Sequence, residues 1–251
     1  MTSVQGTAVD IPTEDGVADA HLAHPGDGVP RPAVLLFQDA FGLRPRLRSM
    51  ADRLAEAGYT VLVPNLFYRH GRAPVFELPE FIDPGARPEI FETITPVVQA
   101  LTPELAMRDA GAYLRWLADR PEVADGPVAL TGYCMGARLS LLTAGTYPDQ
   151  VAAAAGFHGG RLATEAPDSP HLVAERITAE LYFGHADQDP SLPPEQIERL
   201  AAALTKAGVR HRCEVYAGAP HGFTQSDTAS YHREGDERHW AALLDLLKRT
   251  F

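Results

Sequence analysis

Cysteine is nearly absent from this 251-residue chain: Cys134 and Cys213 are the only two, too few for a disulfide scaffold. Long hydrophobic runs are missing as well. No window approaches the roughly 20 uninterrupted apolar residues that cross a bilayer, so no membrane partner is expected. Positive charge is scarce, with 22 Lys and Arg against 33 Asp and Glu and a net charge of −11. Binders of a phosphate backbone need basic patches, which argues against nucleic acid as a partner. Met1–Asp10 has neither a basic n-region nor an apolar h-region, so no secretory signal is expected there. Together with the cysteine usage, this makes a reducing, cytoplasmic location the expectation. No G-x-G-x-x-G follows a strand pattern, and no His/Cys/Asp/Glu spacing reads as a metal site. No cofactor is expected.

What is present reads as an ordinary globular protein, 45% hydrophobic and 22% charged. The length suits one α/β domain. Two polar stretches, Val4–Ile11 and Gly16–His24, form a candidate hairpin around Glu14-Asp15-Gly16. Short, continuous apolar runs follow, of the kind buried on both faces of a parallel sheet: Ala33–Phe37, Tyr59–Val63, Val128–Gly132, Val151–Phe157 and Ala179–Phe183. Helical spacing is found over 46–57, 104–119, 137–146, 195–207 and 237–249, and His211–Tyr216 reads as a last strand. Strands alternating with helices imply a mostly parallel sheet flanked by helices on both faces. Between about 65 and 103 the pattern lapses into an irregular insertion rich in proline and aromatics, including Phe67, Tyr68, Phe76, Phe81 and Phe91. Long irregular segments in a compact domain are usually functional or mobile.

The sharpest local signal is Gly132-Tyr133-Cys134-Met135-Gly136. It is a G-x-C-x-G, the thiol counterpart of the nucleophile elbow of α/β-hydrolases. A strained turn between strand and helix presents the nucleophile, so its neighbours must be small, and two glycines supply that. The helix N-terminus then turns free N–H groups toward the sulfur, which favours thiolate. The competing reading is a buried structural cysteine flanked by chance glycines. A nucleophile needs a base, and the base an orienting acid, in the chain order nucleophile, acid, histidine. His221, in the loop after His211–Tyr216, suits the base. Asp187 and Asp189, after Ala179–Phe183, compete for the acid. Asp187 is the expected choice, because the turn Gly184-x-x-Asp187 sets it directly after the strand, whereas Asp189 precedes Pro190 and reads as a turn acid.

These residues carry a resemblance to the dienelactone hydrolase family. The matching stretches are Gln38-Asp39-Ala40-Phe41-Gly42, Gly58-Tyr59 through Pro64-Asn65-Leu66-Phe67, Gly132–Gly136, Gly184–Asp187 and His221-Gly222-Phe223. The resemblance implies a Cys134–His221–Asp187 triad and an oxyanion hole from the backbone N–H groups of Ala40 and Met135. It also implies that Asp39 stands where the family has a glutamate that keeps the resting thiol protonated. Aspartate retains the carboxylate but shortens its reach. The alternative for Asp39 is a loop acid bonded to nearby N–H groups. Gln225 occupies the position of a family arginine that grips a substrate carboxylate, and Arg69, Arg72 and Arg87 in the insertion are candidate replacements. The function implied is cleavage of a small-molecule ester or lactone. A general carboxylesterase or thioesterase is the rival enzyme, and a non-enzymatic thiol-sensing or binding protein the rival from another class. Monomer and homodimer are equally compatible with the sequence. His158 is either a pocket-lining or a hydrogen-bonded structural histidine, and Cys213 reads as packing.

Overall fold

The apolar runs assemble as their two-sided hydrophobicity requires, each covered above and below. The computed structural model of the chain describes residues 3–83, 85 and 88–251. Eight strands form one sheet: β1 (Val4–Thr13), β2 (Gly16–Pro25), β3 (Ala33–Phe37), β4 (Thr60–Pro64), β5 (Val128–Tyr133), β6 (Val151–Phe157), β7 (Glu180–Ala186) and β8 (His211–Tyr216). Their spatial order is β1-β2-β4-β3-β5-β6-β7-β8. The β1–β2 hairpin pairs antiparallel, with Thr13 opposite Gly16, and β2 runs antiparallel to β4. All pairings from β4 to β8 are parallel.

Helices α1 (Pro45–Glu56), α2 (Glu89–Ala100), α3 (Pro103–Ala118), α4 (Met135–Thr146), α5 (Pro194–Lys206) and α6 (Arg233–Thr250) cover the sheet. Side chains alternate across a strand, so β3 sends Leu35 and Phe37 to one face and Val34 and Leu36 to the other. Leu47, Met50 and Leu54 of α1 join Trp240, Leu243 and Leu247 of α6 on the second face. On the first, Tyr113 and Leu114 of α3, Leu141 of α4 and Leu200 of α5 form the other core layer. Helices on both faces of a mostly parallel sheet with this strand order and an antiparallel second strand make the α/β-hydrolase fold. Among the described residues no helix is long and apolar enough to cross a membrane.

The segment read as irregular contains more order than its composition suggests. A 3₁₀ turn spans Tyr68–His70, and α2 occupies Glu89–Ala100 with Ile90 and Ile94 facing the core. Pro96 inside α2, together with the mixed polar and aromatic residues around it, obscures the helical period. Arg69 ties the segment to the rest of the fold by pairing with Asp109 of α3 at 2.7 Å and Asp15 of the hairpin turn at 2.7 Å.

Candidate active site

Parallel strands end together, and loops at their carboxyl ends meet over one edge of the sheet. Cys134 sits in the turn from β5 into α4, with φ 55° and ψ −115°. The two flanking glycines are sterically demanded. A Cβ on Gly132 would lie 2.0 Å from the carbonyl oxygen of Gly136, and one on Gly136 would lie 2.4 Å from that of Phe37. Met135 is the first residue of α4, so its N–H has no intrahelical acceptor. Ala40, in the loop after β3, lines the same pocket as Cys134.

His221 follows β8 in a turn and lines the pocket too. Its Nδ1 lies 2.6 Å from Oδ2 of Asp189, whose side chain is only 3% exposed. This corrects the sequence expectation, which put Asp187 on the histidine. Strand β7 runs on to Ala186, three residues past the apolar run that announces it. Asp187 is therefore consumed in joining two loops: its N–H donates to Ala219 O at 2.8 Å, and its Oδ2 accepts from the Gly218 N–H at 2.9 Å. Gln188 then adopts φ 52°, reversing the chain so that Asp189 turns inward. The Ser191 N–H and hydroxyl both donate to Asp189 Oδ1, leaving Oδ2 for His221.

Burial opposes a charge on His221, but the negative charge of Cys134 and hydrogen bonds to Asp189 and Cys134 outweigh it and push the imidazole up to about 10. Asp189 is held below the usual carboxylate range: burial works against this, and the bonds from His221 and Ser191 prevail. A histidine whose affinity for a proton is raised on folding stabilises the fold most fully below its unfolded value near 6.5, and loses that contribution as pH climbs toward 10. Wild-type thermal midpoints are therefore expected to fall between pH 7 and 10 by more than those of His221→Gln. Parallel pH profiles from differential scanning calorimetry would refute this linkage.

His158 proves to be both pocket-lining and hydrogen-bonded. Its Nε2 is 2.8 Å from Thr224 Oγ1, and its ring meets that of His221 edge-on at 5.3 Å. Burial, reinforced by the charge of His221, keeps it neutral, well below the ordinary histidine range. Cys213 is half-buried in β8, and that desolvation raises its thiol to about 12 and removes it from thiolate chemistry at neutral pH.

Asp39 lines the pocket beside Cys134. Both of its carboxylate oxygens are gripped by Arg44, at 2.7 and 3.0 Å, and Oδ1 also accepts from the Phe41 N–H. The expected alternative of a loop acid bonded to backbone is thus half of the picture; the buried guanidinium is the other half. Arg44 goes on to pair with Asp227 and to donate to Gln225 Oε1 at 3.1 Å. Nothing in the local sequence marks Arg44, because two of its partners lie about 180 residues further on. The candidate carboxylate-binding arginines do not replace it: Arg69 is committed to Asp15 and Asp109, Arg72 to Asp10, and Arg87 lies outside the described residues.

The pocket encloses about 190 Å³ and is bounded by Phe41, Phe91, Gly222, Thr228 and Ser230 beyond the residues already named. Of the insertion's aromatics only Phe91 of α2 reaches it, set 6.1 Å from Phe41. Phe67 and Phe76 pack on each other at 5.7 Å, and Phe81 is exposed. Among the described residues no group of three His, Cys, Asp or Glu side chains is placed to hold a metal ion.

The chain is similar throughout its length to known proteins. A Synechocystis protein named "Putative carboxymethylenebutenolidase" is 29% identical over 248 residues, covering 98% of this chain and 97% of that protein. The carboxymethylenebutenolidase of Rhodococcus opacus is 26% identical over 219 residues, covering 86% and 80%. A crystal structure of a dienelactone hydrolase-like promiscuous phosphotriesterase from metagenomic libraries superposes with a TM-score of 0.84 at 25% identity, covering 99% of both chains. The dienelactone hydrolase family model matches residues 18–251, and a match over nearly all of a chain that also carries this fold and elbow means that the protein belongs to the dienelactone hydrolase family.

Proposed function

We propose that this chain hydrolyses small esters or lactones, with Cys134 as nucleophile, His221 as base and then acid, and Asp189 as the group that orients the histidine. The observation that carries the reading is the run of contacts from the buried Asp189 through His221 to Cys134 at the wall of a small pocket. The family's lactone-cleaving relatives support the same reaction class.

In the first half-reaction the Cys134 sulfur attacks the carbonyl carbon, its proton held by His221. The carbonyl oxygen becomes an oxyanion, stabilised by the N–H groups of Ala40 and Met135. Preorganised donors of this kind are worth about 3 kcal/mol each to the transition state. As the C–O bond breaks, His221 gives its proton to the departing alkoxide and a thioester remains on Cys134. Water then attacks that thioester while His221 takes a proton from it, and the acid leaves with the thiol restored. For a lactone, the alkoxide and the acid are ends of one product. Asp189 keeps Nδ1 of His221 occupied, so that Nε2 is the nitrogen presented to sulfur and substrate.

Cys134→Ala should lower turnover of p-nitrophenyl acetate and of a small lactone panel by at least roughly a thousandfold, with an unchanged circular dichroism spectrum. Ordinary turnover by that variant would sink the assignment of the nucleophile.

A further inference from the structure

We infer that the site takes electrically neutral acyl groups and turns away carboxylate-bearing ones, and that the largely buried Asp39–Arg44–Asp227 cluster sets this preference. The inference rests on the Cys134 hydrolase reading and adds a substrate class to it.

Arg44 is the cation nearest to the lining residues through direct hydrogen bonds, and it has nothing left to offer. Its Nε donates to Asp227 at 2.6 Å. Its Nη1 donates to Asp39 and to Gly42 O. Its Nη2 donates to Asp39, Gln225 and Asp227. A guanidinium has five N–H donors in a fixed fork, and every nitrogen here is committed. Gln225 is equally occupied, since its Oε1 accepts from Arg44 and its Nε2 donates to Thr224 Oγ1 at 2.9 Å. A substrate carboxylate entering this wall would find no free charge-assisted donor among the described residues.

The charge balance points the same way. Asp39 and Asp227 outweigh Arg44 by one negative charge. Asp189 adds a further buried carboxylate behind His221. His158 is neutral. Arg138, one turn beyond Cys134 on α4, feels the charge of Cys134 but also those of Arg161 and Asp168, and it does not line the pocket. The remaining walls are uncharged: Ala40, Phe41 and Phe91 are apolar, and Thr228 and Ser230 carry neutral hydroxyls. A pocket volume of about 190 Å³ favours short acyl chains.

The test compares p-nitrophenyl butyrate with mono-p-nitrophenyl succinate, which are close in acyl length and differ in charge, each corrected for its rate with hydroxide. Wild-type kcat/KM should favour the neutral ester by about tenfold or more, the order expected for unbalanced charge within several ångströms at an effective dielectric near 20. Asp227→Asn, which removes one carboxylate from Arg44, should narrow that ratio severalfold. A second readout needs no turnover: alkylation of Cys134 by iodoacetamide against iodoacetate, referenced to the same ratio for glutathione. It should show the same bias in wild type and the same narrowing in Asp227→Asn, even if neither ester is hydrolysed and the catalytic reading fails. Equal or preferential reaction with the anionic reagents overturns the inference. If that preference vanished in Arg138→Gln, the substrate carboxylate would belong at Arg138 instead.

Discussion

Asp189→Asn is expected to lower kcat/KM for a neutral ester by about 10²–10⁴-fold, while Asp187→Asn stays within about threefold of wild type. An asparagine at 189 fits the same space, and its amide can still meet the imidazole. It cannot stabilise the imidazolium, and it can hold the ring in the wrong tautomer. The two carboxylates sit two residues apart in sequence, yet the buried one bonds His221 at 2.6 Å and the other bonds the backbone of Gly218. Steady-state kinetics on both variants, with melting curves to verify folding, decide the point. A crippled Asp187→Asn beside a near-normal Asp189→Asn would return the role to Asp187.

The largest expected change in stability is at the elbow. Gly132→Ala should cost about 4 kcal/mol or more, the range reached only when something in the structure must move. The added methyl would meet backbone, with the Gly136 carbonyl oxygen at 2.0 Å and its carbon at 2.3 Å. A flexible side chain could swing aside; a helix's first turn cannot without displacing Cys134 itself. Urea denaturation should show a lower midpoint at unchanged slope, and whatever folds should lack activity. A wild-type midpoint for Gly132→Ala would mean that the elbow is far more pliable than its φ of 55° suggests.

Much of this architecture was legible in the residues themselves, for identifiable reasons. Strands buried on both faces must be continuously apolar, so Ala33–Phe37 and Val151–Phe157 coincide with β3 and β6. The elbow was readable because its motif is local, a side chain at 132 meeting the backbone of Gly136, although Gly136 is itself demanded by the distant backbone of Phe37. The carboxylate in contact with His221 was misplaced by two residues because Gly184-His185-Ala186 breaks the hydrophobic run although all three residues are buried in β7. His185 pays no charge penalty there, since burial lowers it to about 4 and leaves it neutral. Nor was Arg44 legible as the partner of Asp39, for its environment is completed by Gln225 and Asp227 from the far end of the chain. Helix α2 was missed for a local reason, the proline at 96, and with it the role of Phe91 as a pocket wall.

The outward order β5-β6-β7-β8 has a consequence during synthesis. Each strand can dock on its predecessor as it emerges, so the sheet can grow in the direction of translation. Cys134 is made about 90 residues before His221, which at roughly 5–20 residues per second is on the order of ten seconds. Throughout that interval a nascent chain can present a shaped elbow and a thiol with no histidine to share its proton. Under the proposed mechanism the sulfur therefore gains its base only when the last strand closes the sheet, and half-made chains lack the chemistry proposed for the finished protein.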